Sequence, residues 1–145
     1  MLSEYDARYK KLVAAYESRR YHDVVQAAQW FYAKHPLERN YSVSLFTMAA
    51  YIHLAQFGTA LAIGQTLFVQ YESGNLPPQH HFALLFNLAF VVSKFGKKER
   101  YLDLMQKAKD VAVGEQVKKA EEHLKKFFQL SGNFSVGYDE RGRVL

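Results

Sequence analysis

Residues 82–111, FALLFNLAFVVSKFGKKERYLDLMQKAKDV, hold two hydrophobic patterns on either side of one glycine. The first half is apolar almost all the way round. The second has its apolar residues, Tyr101, Leu104, Met105 and Ala108, on one side only. A helix that is apolar on every side must be covered by neighbours, whereas a one-sided helix lies at a surface. The break between them, Phe95-Gly96-Lys97-Lys98, leaves room only for a tight turn, so the two helices run antiparallel. This stretch therefore predicts stacked helices, with one helix enclosed by the others.

Other features agree with an all-α chain. Eight glycines and three prolines are few for 145 residues, and good helix formers are common. The length fits one domain with a sizeable core. Cysteine is absent, which excludes a disulfide framework, a thiol nucleophile and a thiolate metal site. The near-apolar run 82–92 is shorter than the roughly 18–20 residues of a membrane-spanning helix. The start, MLSEYDARYKKLV, carries acids and has no apolar stretch of leader type. The expectation is a soluble, cytoplasmic protein.

Helical spacing predicts seven helices. Ser3 caps the first, with Asp6 in the capping-box position, and it ends near Ser18-Arg19-Arg20. The second runs from Tyr21 to about Lys34, stopped by His35-Pro36. The third starts at Asn40 or Ser42 and reaches Gln56, and a short break at Phe57-Gly58 leads into the fourth, TALAIGQTLFVQYE. SGNLPP is a loop, after which a fifth helix spans Pro78 to Phe95. The sixth covers Lys98 to Ala112. The seventh, EQVKKAEEHLKKFFQL, shows acid-first i,i+4 pairs at Glu115–Lys119, Glu121–Lys125 and Glu122–Lys126. In the tail 133–145, Phe134, Val136 and Tyr138 alternate, as in a short strand or an extended arm.

The helices pair up with a repeating register. Tyr21 precedes Val24, Ala28 and Phe31; Phe57 precedes Ala60, Gly64 and Leu67; Gly96 precedes Tyr101, Met105 and Ala108. With Leu85, Leu88, Ala89 and Val92 ahead of Gly96, the third unit resembles a tetratricopeptide repeat. That resemblance covers about residues 5–112. It implies a right-handed α–α superhelix of about three antiparallel pairs, at 3–36, 40–75 and 77–112, with a capping helix at 114–131. The chain departs from the pattern at Arg19 and Ala55, which stand where a turn glycine is expected, and the first two units lack the usual tryptophan. A generic α-solenoid or an irregular helical bundle is the alternative.

No catalytic signature is found. The adjacent His80 and His81 point about 100° apart on a helix, unlike metal ligands at i,i+3 or i,i+4. No nucleophile motif and no phosphate-binding glycine loop occurs. The expectation is a non-enzymatic protein with no metal and no cofactor. On the resemblance, the first helices of the pairs line a concave groove, which makes Tyr9, Tyr16, Tyr41, Tyr51, His53, Asn87 and Phe90 its candidate residues. Asn87 is the one polar residue in the most apolar helix, and either a ligand contact or an internal hydrogen bond accounts for it. Some family members clamp a chain-terminal carboxylate with lysine and asparagine. The matching asparagine positions here are Val13, Ala49 and Phe90, all apolar, which favours an apolar or amphipathic ligand.

The formal net charge is +5, and it is uneven: +1 over residues 1–75 and +4 over 76–145. Lys94, Lys97, Lys98, Arg100, Lys118, Lys119, Lys125 and Lys126 are candidates for an anionic surface, nucleic acid above all. Interleaved acids favour the plainer reading of a solvated helical surface. Three readings follow. The leading one is an adaptor or chaperone that binds a protein or peptide segment, similar in size to those of bacterial secretion and assembly systems. The second is an adaptor for nucleic acid. The third is a homo-oligomeric scaffold that associates through tail residues 133–145.

Overall fold

The computed structural model describes residues 3–35 and 40–132, with side chains through Lys125. Within them the elements are α1 (Glu4–Glu17), α2 (Tyr21–Lys34), α3 (Tyr41–His53), α4 (Phe57–Glu72), a 3-10 turn (Pro78–His80), α5 (His81–Ser93), α6 (Lys98–Val111) and α7 (Glu115–Gly132). There is no strand among the described residues. The tail 133–145, for which a strand or arm was expected, lies outside them, and so does the side chain of Lys126.

Local chemistry sets the helix ends. The Ser3 hydroxyl accepts the Asp6 amide at 3.1 Å and donates to the Asp6 carboxylate at 2.9 Å. This is half of a capping box: the carboxylate meets the serine hydroxyl instead of its backbone N–H. At the end of α2, His35 is extended (φ −136°, ψ 148°), as a following proline requires. Pro78 forms a 3-10 turn, and the α-helical geometry of α5 begins at His81, three residues later than expected. A His81 ring nitrogen lies 2.8 Å from the Leu76 carbonyl and ties that turn down.

The α1–α2, α3–α4 and α5–α6 turns share one geometry. Arg19 (φ 61°), Ala55 (φ 58°) and Gly96 (φ 72°) all occupy the left-handed region. Each is followed by an amide that reaches back five residues: Arg20 to Ala15 at 2.8 Å, Gln56 to Tyr51 at 2.9 Å and Lys97 to Val92 at 3.3 Å. These are Schellman-type closures. The two departures from glycine thus keep the glycine conformation, at a cost of about 1–2 kcal/mol each. Ala55 is exposed, so Ala55→Gly should raise the unfolding free energy by about 0.5–1 kcal/mol once the extra freedom of unfolded glycine is deducted. A shift of the urea midpoint at unchanged slope would show it.

Helices pack in chain order, and contacts also link α1 to α3 and α3 to α5. The odd-numbered helices therefore form an inner row, and the even-numbered helices lie outside it. In the one-sided α6, Tyr101, Leu104, Met105 and Ala108 are the buried residues. The enclosed helix is α5. It touches α3, α4 and α6, and Ala120 of α7 joins the same core. Phe82, Leu84, Leu85, Phe86, Leu88, Ala89, Val91 and Val92 are buried on it. Burying a large apolar side chain contributes about 1.5–3 kcal/mol, so this helix anchors the array. The Tyr101 hydroxyl donates to the His123 carbonyl at 3.4 Å and links α6 to α7; burial pushes its pKa up to about 12.

The ion pairs expected along α7 need correction. Among the described residues, Glu115–Lys119 and Glu121–Lys125 are not salt-bridged. Glu121 instead reaches Lys109 on α6 at 3.7 Å, and Lys119 turns inward over the Phe86 ring, 4.8 Å from its centroid. Docking α7 against its neighbours offers these side chains partners across the interface. Exposed i,i+4 pairs give only a few tenths of a kcal/mol to compete with that.

Candidate functional site

α5 leaves a narrow stripe half open at Ala83, Asn87 and Phe90, and Lys94 follows just beyond the helix end. On α3 the corresponding stripe is Ser42, Phe46, Ala49 and His53. Both are spaced i, i+4, i+7, i+11, which is one side of a helix. Between them runs a trough with two cavities. The first, of about 240 Å³, is lined by Tyr16, Ser42, Leu45, Phe46, Ala49, His80, Ala83 and Asn87. The second, of about 200 Å³, is lined by Tyr16, Ala49, Ile52, His53, Phe86, Asn87, Phe90, Lys119 and His123. Tyr16, Ala49 and Asn87 belong to both, so the cavities are the two ends of one depression. Every lining residue comes from α1, α3, α5, α7 or the turn that enters α5. From Ser42 to His53, α3 rises about 16 Å, which sets the length of the trough.

Aromatic contacts stiffen its walls. Tyr16 meets Phe46 edge-on at 5.2 Å, and His53 stacks on Tyr21 at 4.3 Å with the rings 3° from parallel. His123 meets Phe86 edge-on at 4.7 Å. Lys94 lies 4.8 Å from the Phe90 centroid and 5.7 Å from that of Phe57. Tyr9 bonds the Ser42 hydroxyl at 2.5 Å and joins α1 to α3 at one end. Asn87 sits at the middle, and among the described residues no hydrogen bond to its side-chain amide is found. Burial, and after it the neighbouring His81, holds the imidazole of His80 below its ordinary pKa. Burial, with Tyr21 second, raises the pKa of Tyr16. Both groups are therefore neutral at pH 7.

Of the groove residues expected from sequence, the structure brings Tyr16, His53, Asn87 and Phe90 together, with Tyr9 at the edge. Two are placed elsewhere. Tyr41 is only 5% exposed and packs with Leu45, Leu67, Leu76 and Leu84. Its hydroxyl donates to the Gln70 side chain at 3.4 Å, away from the trough. Tyr51 is half-buried against the main core and lines neither cavity. Both lie on α3, but the stripe that faces the trough falls at Ser42, Phe46, Ala49 and His53. The small residue Ala83 and the histidines His80 and His123 were not singled out for the groove, and Ala49 was marked only as a position where the family's clamp carries asparagine. The shared spacing on α3 and α5 is the signal that finds the alanines.

The basic residues expected to meet an anionic surface are spread over several elements. Lys119 lines the trough, and Lys94 lies just beyond it over the Phe90 ring. Arg100 lies over Phe68 of α4 at 5.3 Å. Lys97, Lys98, Lys118 and Lys125 are exposed on α6, α7 and the turn before α6. No group of side chains suited to a metal ion occurs among the described residues. No described helix is long and apolar enough to cross a membrane. No protein-family model matches the chain, and no significant similarity to a curated protein or a solved structure is found.

Proposed function

We propose that this chain is a non-enzymatic interaction module, an adaptor or chaperone of the tetratricopeptide-like helical-repeat type. It binds an apolar or amphipathic segment of a partner protein in the trough. The observation that carries this reading is the make-up of that trough: four inner helices contribute a continuous, mostly apolar depression with one unpartnered amide, Asn87, at its centre. Ligand sites of this kind combine apolar walls with a few placed polar groups. The repeat reading draws support from the three equivalent turns and from the α1–α3 and α3–α5 contacts. Stacked short helix pairs are expected to behave this way, since one pair alone cannot cover its own apolar face.

A segment of about 11 residues spans 16 Å as a helix. Labelled amphipathic peptides of that length, with leucines at helical spacing, are the probe. Binding measured by fluorescence anisotropy should fall at least about 100-fold, roughly 2.7 kcal/mol, in Ala49→Trp, which puts an indole where the two cavities meet. Phe90→Ala should weaken it about tenfold, and Lys118→Glu, outside the trough, should leave it unchanged. Peptide binding that survives Ala49→Trp in a folded protein, as judged by its circular-dichroism melt, would falsify the reading.

A further inference from the structure

We propose that the α7 end of the trough receives an acidic side chain carried within the bound segment, so that the partner is an anionic amphipathic sequence. The inference rests on the groove reading above and assigns the ligand its charge and its direction.

Four observations carry it. First, Lys119 stands four residues after Glu115, yet among the described residues it has no carboxylate partner. Its ammonium lies over Phe86, a residue that lines the trough. Second, Lys94 also has no carboxylate partner among the described residues, and it sits over Phe90, a second lining residue. A cation on an aromatic face keeps its donors available to a further anion. Third, no acidic residue lines either cavity. The α7 end carries the two lysines with His53 and His123. The opposite end offers Ser42, already engaged by Tyr9, and the neutral His80. The charge therefore has a direction along the trough. Fourth, the Asn87 amide, free between the two ends, can serve a segment's backbone.

Nucleic acid fits this end less well. The faces of Phe86 and Phe90 are taken by ammonium groups and flanked by the edge of His123, so they do not offer the open stacking platforms that single strands use.

The test uses the full chain and amphipathic peptides of one apolar pattern, acetylated and amidated so that no terminal charge remains. One polar position near either end carries Glu, Gln or Lys. The expected result is that Glu outbinds Gln by on the order of tenfold, the effect of a charge-assisted contact, and Lys binds weakest, at one end of the peptide only. Lys119→Gln should remove the preference, and Lys119→Glu should invert it. Lys119 is exposed, and unchanged melting curves will show that these variants fold. Equal binding of the three peptides, still blocked by Ala49→Trp, leaves the groove and overturns the acidic ligand. Failure of every peptide to bind overturns both. A preference seen only with a free terminal carboxylate would overturn the proposal in favour of a chain end. Displacement of the Glu peptide by oligodeoxythymidylate, dependent on Lys119, would overturn it in favour of nucleic acid.

Discussion

Leu88→Ala should lower the unfolding free energy by about 3–5 kcal/mol, at the upper end of such substitutions. Leu88 is fully buried on α5, the helix that α3, α4 and α6 enclose. Its neighbour across the α4 interface is the bare backbone of Gly64. A methyl placed there would stand 2.9 Å from Leu88 Cδ1 and 2.8 Å from Met48 Cε. The leucine thus fills space that α4 leaves empty, and truncating it opens a void that no α4 side chain can close. The flexible end of Met48, which borders the same space, can relax into part of it. Gly64→Ala in the parent should change stability little, since about 1 kcal/mol of helix propensity is offset by the displacement of both side chains. In the Leu88→Ala background the same methyl enters the void and should recover about 1 kcal/mol or more. Urea unfolding of the four proteins measures the coupling. Additive effects would mean that Gly64 and Leu88 do not share this space.

That contact also illustrates what the sequence could reveal. The apolar run 82–92, interrupted only by Asn87, required a covered helix, and α5 is covered. The one-sided Tyr101, Leu104, Met105, Ala108 pattern required an outer helix, and those four residues are the buried ones of α6. The stop before Pro36 and the turn at Gly96 were legible because their backbone rules are local, but the break expected at Phe57-Gly58 was misplaced: α3 ends at His53, and Gly58 lies in the first turn of α4. What periodicity could not reach was conformation against type. Arg19 and Ala55 read as departures from a turn glycine, yet both adopt its left-handed φ. Closing hydrogen bonds to Ala15 and Tyr51 offset the strain, and residue type alone does not show that they form.

The candidate site was legible in part, for a similar reason. Aromatic residue type drew attention to Tyr41 and Tyr51, but type does not say which way a helical residue faces. Rotation about α3 does. Ser42, Phe46, Ala49 and His53 share one side, and Tyr41 and Tyr51 lie off it. Asn87 was found because an apolar helix with one polar residue invites a question about that position, and Phe90 because the repeat register puts an aromatic on the groove side of the same helix. Lys119 was assigned to an exposed pair with Glu115 because i,i+4 spacing permits it. Spacing on one helix carries no information about Phe86 on another, and that ring is where Lys119 goes.

Asn40→Asp should cost about 3–5 kcal/mol at pH 7 and recover much of that loss in acid. Asn40 is fully buried between α2 and α3. Its amide donates to the Phe31 carbonyl at 3.2 Å and the His35 carbonyl at 3.0 Å. Its own oxygen, Oδ1, has no partner among the described residues. A carboxylate there loses both donors, faces two carbonyl oxygens and is cut off from water, the setting in which an uncompensated charge is most destabilising. Burial and the carbonyls raise the folded pKa of the new carboxyl above its unfolded value of about 3.9. With the folded value the higher one, the protonated form is favoured by folding. The stability of the variant is then greatest below about pH 3.9 and is lost as pH rises through the folded pKa. Protonated, the group donates one of the two hydrogen bonds again. Asn40→Ala is the companion: it should cost about 2–3 kcal/mol from the His35 carbonyl left unmet, the second bond lost at the Phe31 carbonyl, which keeps the His35 N–H at 2.9 Å, and the small void, with no such pH dependence. The difference between the two variants across pH 3–8, measured by urea unfolding, isolates the charge. If the two curves run parallel, the Asn40 amide does not hold the end of α2, and the passage from α2 to α3 must be fixed by the packing of Phe31 and Val43 instead.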